Sequence, residues 1–390
     1  MAGTNGARQA PSSANSPLPV AILGGGYLSA IGRTHITALT MDRRFDVVAG
    51  CFSQQQYENE SSASGYGVTK ERTYVSLREM LEQEAKRVAA FVLLTPTDQH
   101  APQVIECLGH KVPIICEKAL ATSVGLVQEI GREVEVAGGF LVVTYNYLGY
   151  PMLRELRRLI LNGNLGHITQ LFIEMPQEGF VRRSADDLPI EPQGWRLRDH
   201  EVPTISLDLG VHLHSIARFL TEQKPEKVVA VQQSFGNFSN VIDNVVCLAQ
   251  YSSQIHCTFW FSKAALGYRN GLKVRIFGTR GSAAWEQMNP EFIDFADCFG
   301  RRTIIDRADP AVLEAGTPRY ARFKAGHPAG FIEAFANYYS DVADALIVFR
   351  NIGRQVANSN VLGVETALEG MRLLESAARS AKTGNWVTCE

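Results

Sequence analysis

From Leu18 onward the chain alternates short, continuous apolar runs with segments whose apolar residues recur every three or four positions. The runs "LPVAILGGG", "FDVVAGCFS", "AAFVLLTP", "VPIICEK" and "FLVVTYN" are bounded by Gly, Pro or polar residues and predict strands. Between them, "VSLREMLEQEAKRV" and "SVGLVQEIGREVEVAGG" have the helical period. Strands without polar alternation are buried on both faces, so this half predicts a doubly wound parallel sheet, an α/β Rossmann arrangement. After about Asn146 the pattern changes. An amphipathic helix, "PMLRELRRLILNG", leads into long runs with few helices between them: "HITQLFIEMPQ", "KVVAVQQSF", "NVVCLAQY", "IHCTFWFSK", "LKVRIFG" and "FIDFAD". These predict a second α/β domain on a large, mostly antiparallel sheet.

Helical periodicity returns in "GFIEAFANYYSDVADALIVF" and "VLGVETALEGMRLLESAARSAKTG". The stripe Phe331, Phe335, Tyr338, Tyr339 and Val342 reads as core. Residues 1–17 are small, polar and rich in Pro, Gly and Ser, and are expected to form a disordered tail. The expected division is thus a tail over 1–17, a dinucleotide-binding domain over 18–146, and a substrate-binding and oligomerisation domain over 147–390. The last helices of that second domain have the option of packing back on the first.

Composition narrows the function. With 45% hydrophobic residues, 20% charged residues and a net charge of -2, nothing points to a nucleic-acid or membrane-surface partner, and a small neutral molecule is the expected ligand. Seven cysteines without a CxxC predict neither a zinc site nor a disulfide framework, and so a reducing compartment. No apolar run reaches the ~18 residues of a membrane span, and no signal-like start is present; the cytoplasm is the expected location.

"VAILGGGYLSAIGRTH" places Gly24, Gly26 and Ser29 between the first strand and the first helix. A tight turn needs the first glycine, and close approach of backbone to a pyrophosphate needs the second. A small third residue lets helix and strand pack. Tyr27 and Leu28 lie inside this turn, and the helix N-terminus offers its free N–H groups to phosphate. At the end of the second strand, where a carboxylate often reads the ribose, stands Ser53. The choice between NAD and NADP stays open there, and the missing basic group leans it toward NAD.

"GGGYLSAIGRTH", "TPTDQH", "CEKAL", "YNYLGYP" and "DLGVHLHSIARFL", in this order and at these intervals, resemble the Gfo/Idh/MocA family of sugar and cyclitol dehydrogenases, from about Pro19 to the final helix. The resemblance implies a Rossmann domain followed by an α/β domain with a large open sheet, used in homodimers or homotetramers. It implies that Lys118, in "CEKAL", sits at the catalytic centre, with Ala119 where the family usually has Pro. The strand-end position places Lys118 at the ligand edge of the sheet independently, where its ammonium can hold a substrate oxygen as hydride leaves. Glu117 is a candidate to hold that ammonium and to line the cofactor site.

Asp208 and His212, four apart, are expected on one helical face, with His212 exchanging the hydroxyl proton and Asp208 orienting substrate or imidazole. The family's D-x-G-x-H matches both. His214 reads as a helix residue bonded elsewhere. Thr95, Pro96, His100 and Asn146 match segments beside the cofactor, with Thr97 where Asn is usual. Trp195 and Arg196 resemble a pair that closes over cofactor or substrate. Tyr147, Arg322 and His327 are further substrate candidates. No metal is expected, since no third ligand stands at usual spacing.

Together these readings predict an NAD(P)-dependent oxidoreductase acting on a ring hydroxyl or ketone of a sugar, glycoside or cyclitol. Two alternatives stay open: a non-catalytic sugar- or nucleotide-sensing regulator of the same fold, and an NAD-dependent glycosidase that oxidises its substrate transiently. The joint presence of Lys118, Asp208 and His212 favours the dehydrogenase, because a sensor has no chemical need of all three.

Overall fold

The computed structural model describes residues 16–320 and 322–390; the tail expected over 1–17 lies, apart from its last two residues, outside them. The first half alternates β1 (Leu18–Gly24), α1 (Ala30–Met41), β2 (Phe45–Cys51), α2 (Gln56–Tyr66), α3 (Leu77–Glu84), β3 (Ala90–Leu94), α4 (Thr97–Gly109), β4 (Ile114–Cys116), α5 (Val124–Ala137) and β5 (Leu141–Val143). The five strands form one parallel sheet in the order β2-β1-β3-β4-β5. Their centres are fully buried, as uninterrupted runs such as "AFVLL" require when helices cover both faces. The order reverses between β1 and β3, so the strands' carboxyl ends open a crevice there.

The second half begins with α6 (Pro151–Leu161), β6 (Ile168–Pro176), α7 (Val211–Thr221), β7 (Pro225–Gln233), β8 (Asn244–Tyr251) and β9 (Ile255–Ser262). It continues with β10 (Lys273–Gly278), β11 (Gly281–Glu286), β12 (Phe292–Asp297), β13 (Arg302–Asp306), α8 (Phe331–Ile352), α9 (Val364–Thr383) and β14 (Val387–Thr388). Nine strands pair in the order β13-β12-β11-β10-β6-β9-β8-β7-β14, all antiparallel except β6 with β9. Along β8, Val245, Cys247, Ala249 and Tyr251 are buried while the residues between them are not. One face therefore packs under helices, and the other stays open with Val231, Val246 and Phe277 exposed on it.

The two halves interlock. His35 of α1 meets Phe335 of α8 edge-on at 4.7 Å, and Tyr338 of α8 donates to the Val143 carbonyl of β5 at 2.5 Å. Phe335, Tyr338, Tyr339 and Val342 are core, while Phe331 at the start of that stripe is partly open. Helix α2 escaped the periodicity reading because "QYENESSASGY" carries almost no apolar stripe. The short strands β11, β13 and β14, the last two at the sheet edges, escaped it too.

Glycine chemistry shapes the first turn more than the G-x-G-x-x-S reading allows. Gly24 and Gly25 hold φ of 78° and 65°, and a Cβ on Gly25 would meet Leu94 Cδ1 at 2.7 Å. Ser29, read as the small packing residue, is instead the N-cap of α1, its hydroxyl accepting from the Gly32 N–H at 3.3 Å. The close approach falls to Gly32, whose Cβ would lie 2.1 Å from the Gly25 carbonyl oxygen. Gly32→Ala is therefore expected to destabilise the protein by about 1–3 kcal/mol. Gly125→Ala, in α5 with open space around it, should raise stability by up to about 1 kcal/mol. Denaturant midpoints of the two variants check both signs.

Candidate active site

The cofactor end is built from backbone. Tyr66 of α2 donates to the Gly25 carbonyl at 2.9 Å, and the Tyr27 N–H donates to Ser62 Oγ at 2.9 Å, so α2 clamps the glycine turn. Tyr27 and Leu28 project at the mouth, Leu28 being 90% exposed. Ser53 follows β2 and its hydroxyl donates to Glu58 Oε2 at 3.0 Å, so a carboxylate stands beside Ser53. The sequence reading looked only at the strand's last residue; Glu58 arrives from the first turn of α2.

At the ends of β3 and β4 the chain is pinned by His100. Its Nδ1 lies 2.7 Å from the Ala119 carbonyl and its Nε2 2.8 Å from the Thr95 carbonyl. The ring is fully buried and serves the loops rather than facing a cofactor. Thr95, whose hydroxyl donates to Gln103 Oε1 at 2.5 Å, and Pro96 cap α4 at the crevice. Glu117 is likewise turned inward. Its Oε1 accepts from the Thr144 hydroxyl at 2.5 Å and lies 3.3 Å from His35 Nε2. Burial alone would raise its carboxyl, but His35, Lys118 and Thr144 bring it down to about 2. Glu117 does not clasp the Lys118 ammonium.

That part is played by Asp208. Lys118, past the end of β4, donates to Asp208 Oδ1 and to the Asp208 backbone oxygen, both at 2.9 Å. Asp208 sits in a single π-helical turn, Ser206–Gly210, that runs into α7 and carries His212. Its other oxygen, Oδ2, lies 2.5 Å from Arg196 Nη1 and 2.8 Å from Lys263 Nζ. Burial would raise this carboxyl; Lys118, Lys263 and Arg196 outweigh it and hold it well below the usual range. Lys263, directly after β9, was missed by the sequence reading, because a lysine closing an alternating strand carries no signal without its partner. Arg196 lies over the Trp195 ring at 4.5 Å, with Trp195 partly exposed.

His212 is buried and meets the Tyr147 ring edge-on at 4.8 Å. Burial and the nearby Lys118 lower its pKa to about 3, against the opposing pull of Glu117 and Asp208, so the imidazole is neutral near pH 7. Tyr147 accepts from Asn270 at 3.1 Å, and burial pushes its phenol upward, leaving it protonated. Asn146 Nδ2 and His212 Nδ1 are buried with no partner among the described residues. His214 is spent elsewhere, on Tyr251 at 2.9 Å.

The structure does not bring Arg322 or His327 to this group. Arg322 pairs with Asp42 at the end of α1 and with Asn337 of α8, and His327 packs on Phe323 at 4.5 Å. Two surface clefts, one lined by Trp285 and Phe292 and one by Arg157 and Gln355, also lie apart from it.

Comparison with known proteins agrees with the fold. Residues 18–145 match the model described as the oxidoreductase family with an NAD-binding Rossmann fold, and residues 153–284 match the GFO/IDH/MocA C-terminal domain. The chain belongs to the Gfo/Idh/MocA oxidoreductase family. An uncharacterized oxidoreductase of Bacillus subtilis, YfiI, is 29% identical over 96% of this chain and 97% of its own. Inositol 2-dehydrogenase of Rhizobium meliloti is 24% identical over 70% of this chain and 77% of its own. An inositol dehydrogenase homologue from Azotobacter vinelandii, solved with NADH and myo-inositol, superposes with a TM-score of 0.85 at 26% identity, covering 96% of this chain and 98% of its own. As a Gfo/Idh/MocA protein the chain has an NAD-binding Rossmann domain and a mostly antiparallel second sheet. Among the described residues no helix is long and apolar enough to cross a membrane.

A pH dependence follows from His212. Between about pH 6.5 and pH 3 the unfolded chain binds a proton there that the native chain refuses, so stability falls as pH is lowered through that window. Glu117 acts in the same direction between 4.5 and about 2, where the unfolded chain takes up a proton and the native carboxylate stays ionised. His212→Asn should flatten the upper part of the slope, read as denaturant midpoints at about pH 7 and about pH 5.

Proposed function

We propose that this protein is an NAD-dependent dehydrogenase of a ring alcohol in a sugar or cyclitol. The observation that carries the reading is the contact of Lys118, at the carboxyl edge of the parallel sheet, with Asp208, one helical turn before a buried neutral His212. A dinucleotide fits the chain's own residues. The Gly24–Ser29 turn and the start of α1 suit a pyrophosphate, and Ser53 with Glu58 suits a ribose diol. Asn146 Nδ2, buried without a partner, suits a polar group of the nicotinamide end. A bound nicotinamide supplies the hydride acceptor or donor.

The protein's part is to place and deprotonate the hydroxyl. Lys118, fixed by two contacts to Asp208, has a third N–H for the substrate oxygen and stabilises negative charge as it develops there. His212, neutral before reaction, takes the hydroxyl proton, and the ionised Asp208 steadies the resulting imidazolium. In reduction of a ketone the same residues return the proton. The relatives that act on inositol support a cyclic polyol as substrate class. The apolar open face of the nine-stranded sheet supports a homo-oligomer.

The test is the absorbance of reduced nicotinamide with a panel of pyranosides, glycosides, inositols and their ketones. Lys118→Ala should lower turnover by about a hundredfold or more while nucleotide affinity stays within a few fold. Equal loss of both would assign Lys118 to binding or folding. Release of an aglycone without net reduction of cofactor would transfer the protein to the transient-oxidation glycosidases.

The same reading takes NAD in preference to NADP, because the Glu58 carboxylate accepts from ribose hydroxyls and repels a 2'-phosphate. Glu58→Gln should weaken NADH binding by about tenfold and NADPH binding far less, measured by fluorescence titration of the two reduced nucleotides. A parallel loss for both would show that the Ser53–Glu58 contact only shapes the turn.

A further inference from the structure

Three cations converge on the single carboxylate of Asp208, and hydride transfer from a neutral alcohol leaves two of them without a task. Lys118 occupies Oδ1, while Arg196 and Lys263 share Oδ2. The chemistry asks for one ammonium beside the reacting oxygen and one imidazole, which Lys118 and His212 provide. Lys263 is only 5% exposed, with Gln177 Oε1 at 3.2 Å and the Phe180 ring centroid at 5.8 Å as further neighbours. The other carboxylate of this region, Glu117, is directed to His35 and Thr144. Three positive charges thus face two negative ones where little water reaches, an arrangement that is costly unless an anion completes it. Burial lowers the Lys263 ammonium, with Arg196 and Lys118 adding to that and Asp208 opposing it.

Donors remain to receive that anion. An ammonium has three N–H groups and a guanidinium five. Lys263 spends two on Asp208 and Gln177, and Arg196 spends one on Asp208 while its side chain is 29% exposed. His212 Nδ1, buried and unpartnered among the described residues, leaves a place for a polar group at the other, reacting end of the site.

We infer that the substrate carries an anionic group, a carboxylate or a phosphate, that seats against Lys263 and Arg196 while the reacting carbinol lies against Lys118 and His212. The two ends of the site are separated by one carboxylate, that of Asp208, so the anionic group lies within a few bonds of the reacting carbon, as in uronic acids, aldonic acids and sugar phosphates. The carbinol carbon loses hydride to the nicotinamide and its oxygen loses a proton to His212, with the anionic group unchanged. The reaction half of this inference rests on the dehydrogenase reading; the anion site does not. It also revises the expectation of a neutral ligand, since a net charge of -2 over the whole chain says nothing about a local excess of cations.

The experiment pairs sugars of one configuration: glucuronate, gluconate and glucose 6-phosphate against glucose, and galacturonate against galactose. Binding to the purified chain is read by calorimetry in the presence of NADH, and turnover by reduced-nicotinamide absorbance with NAD. An anionic member should exceed its neutral counterpart by about tenfold or more in affinity, the worth of one charge-assisted hydrogen-bonded contact. Lys263→Gln and, at the partly exposed position, Arg196→Gln should each shrink that ratio to within a few fold, with an unchanged far-ultraviolet circular dichroism spectrum and thermal midpoint certifying the fold. The carboxylate and phosphate arms say which anion is preferred. Neutral sugars matching their anionic counterparts, or an anionic advantage that survives both substitutions, would overturn the inference while leaving the dehydrogenase intact. Lys263-dependent binding of anionic sugars with no hydride transfer would uphold the anion site and remove the dehydrogenase reading instead.

Discussion

Everything at this site hangs on the ionised carboxylate of Asp208. Lys118 comes from the edge of the parallel sheet, Arg196 from the long loop before α7, and Lys263 from the end of β9, and all three meet on its two oxygens. The contact therefore joins the two sheets at the carboxyl edge of the parallel one, where the reaction is proposed. A carboxylate this buried stays charged only because its cations outweigh the loss of water. Removing it would leave buried cations without a counter-charge, so Asp208 is a structural and an electrostatic centre at once.

The same lack of water sets the state of His212. Next to an ammonium and away from solvent, its imidazole is held neutral and ready to accept a proton. A histidine on the outer face of α7 would titrate in the ordinary range and be of less use. In the proposed mechanism an ionised Asp208 and a neutral His212, four residues apart, divide orientation from proton transfer. Burial produces both, because it raises the stakes of every nearby charge.

Much of the fold was legible along the chain. The buried runs of β1 and β3, the alternation in β8 and the stripe of α8 follow from side-chain periodicity, which is local. What escaped was local structure without a local signal. Helix α2 has no apolar stripe and is kept by Tyr66 and Ser62 holding the glycine turn. Gly32 reads as one glycine in a helix until the Gly25 carbonyl is seen beside it. Glu58 stands five residues beyond Ser53, the place where a ribose carboxylate is usual. Arg322, promising by its place in the chain, is spent on Asp42 at the far end of α1.

By itself, then, the sequence determined the class of fold, the glycine turn, the strand-end place of Lys118 and the shared helical face of Asp208 and His212, because strand periodicity and short-range spacing are properties of neighbouring residues; that they form one site was implied by the resemblance. Only the tertiary structure decided which groups those residues meet. Glu117 adjoins Lys118 in sequence but points to His35 and Thr144, while Asp208, ninety positions away, takes the ammonium. Lys263 became part of the site through the same carboxylate. The physical reason is that the charge balance of a buried site is a sum over chain segments that the fold alone brings together.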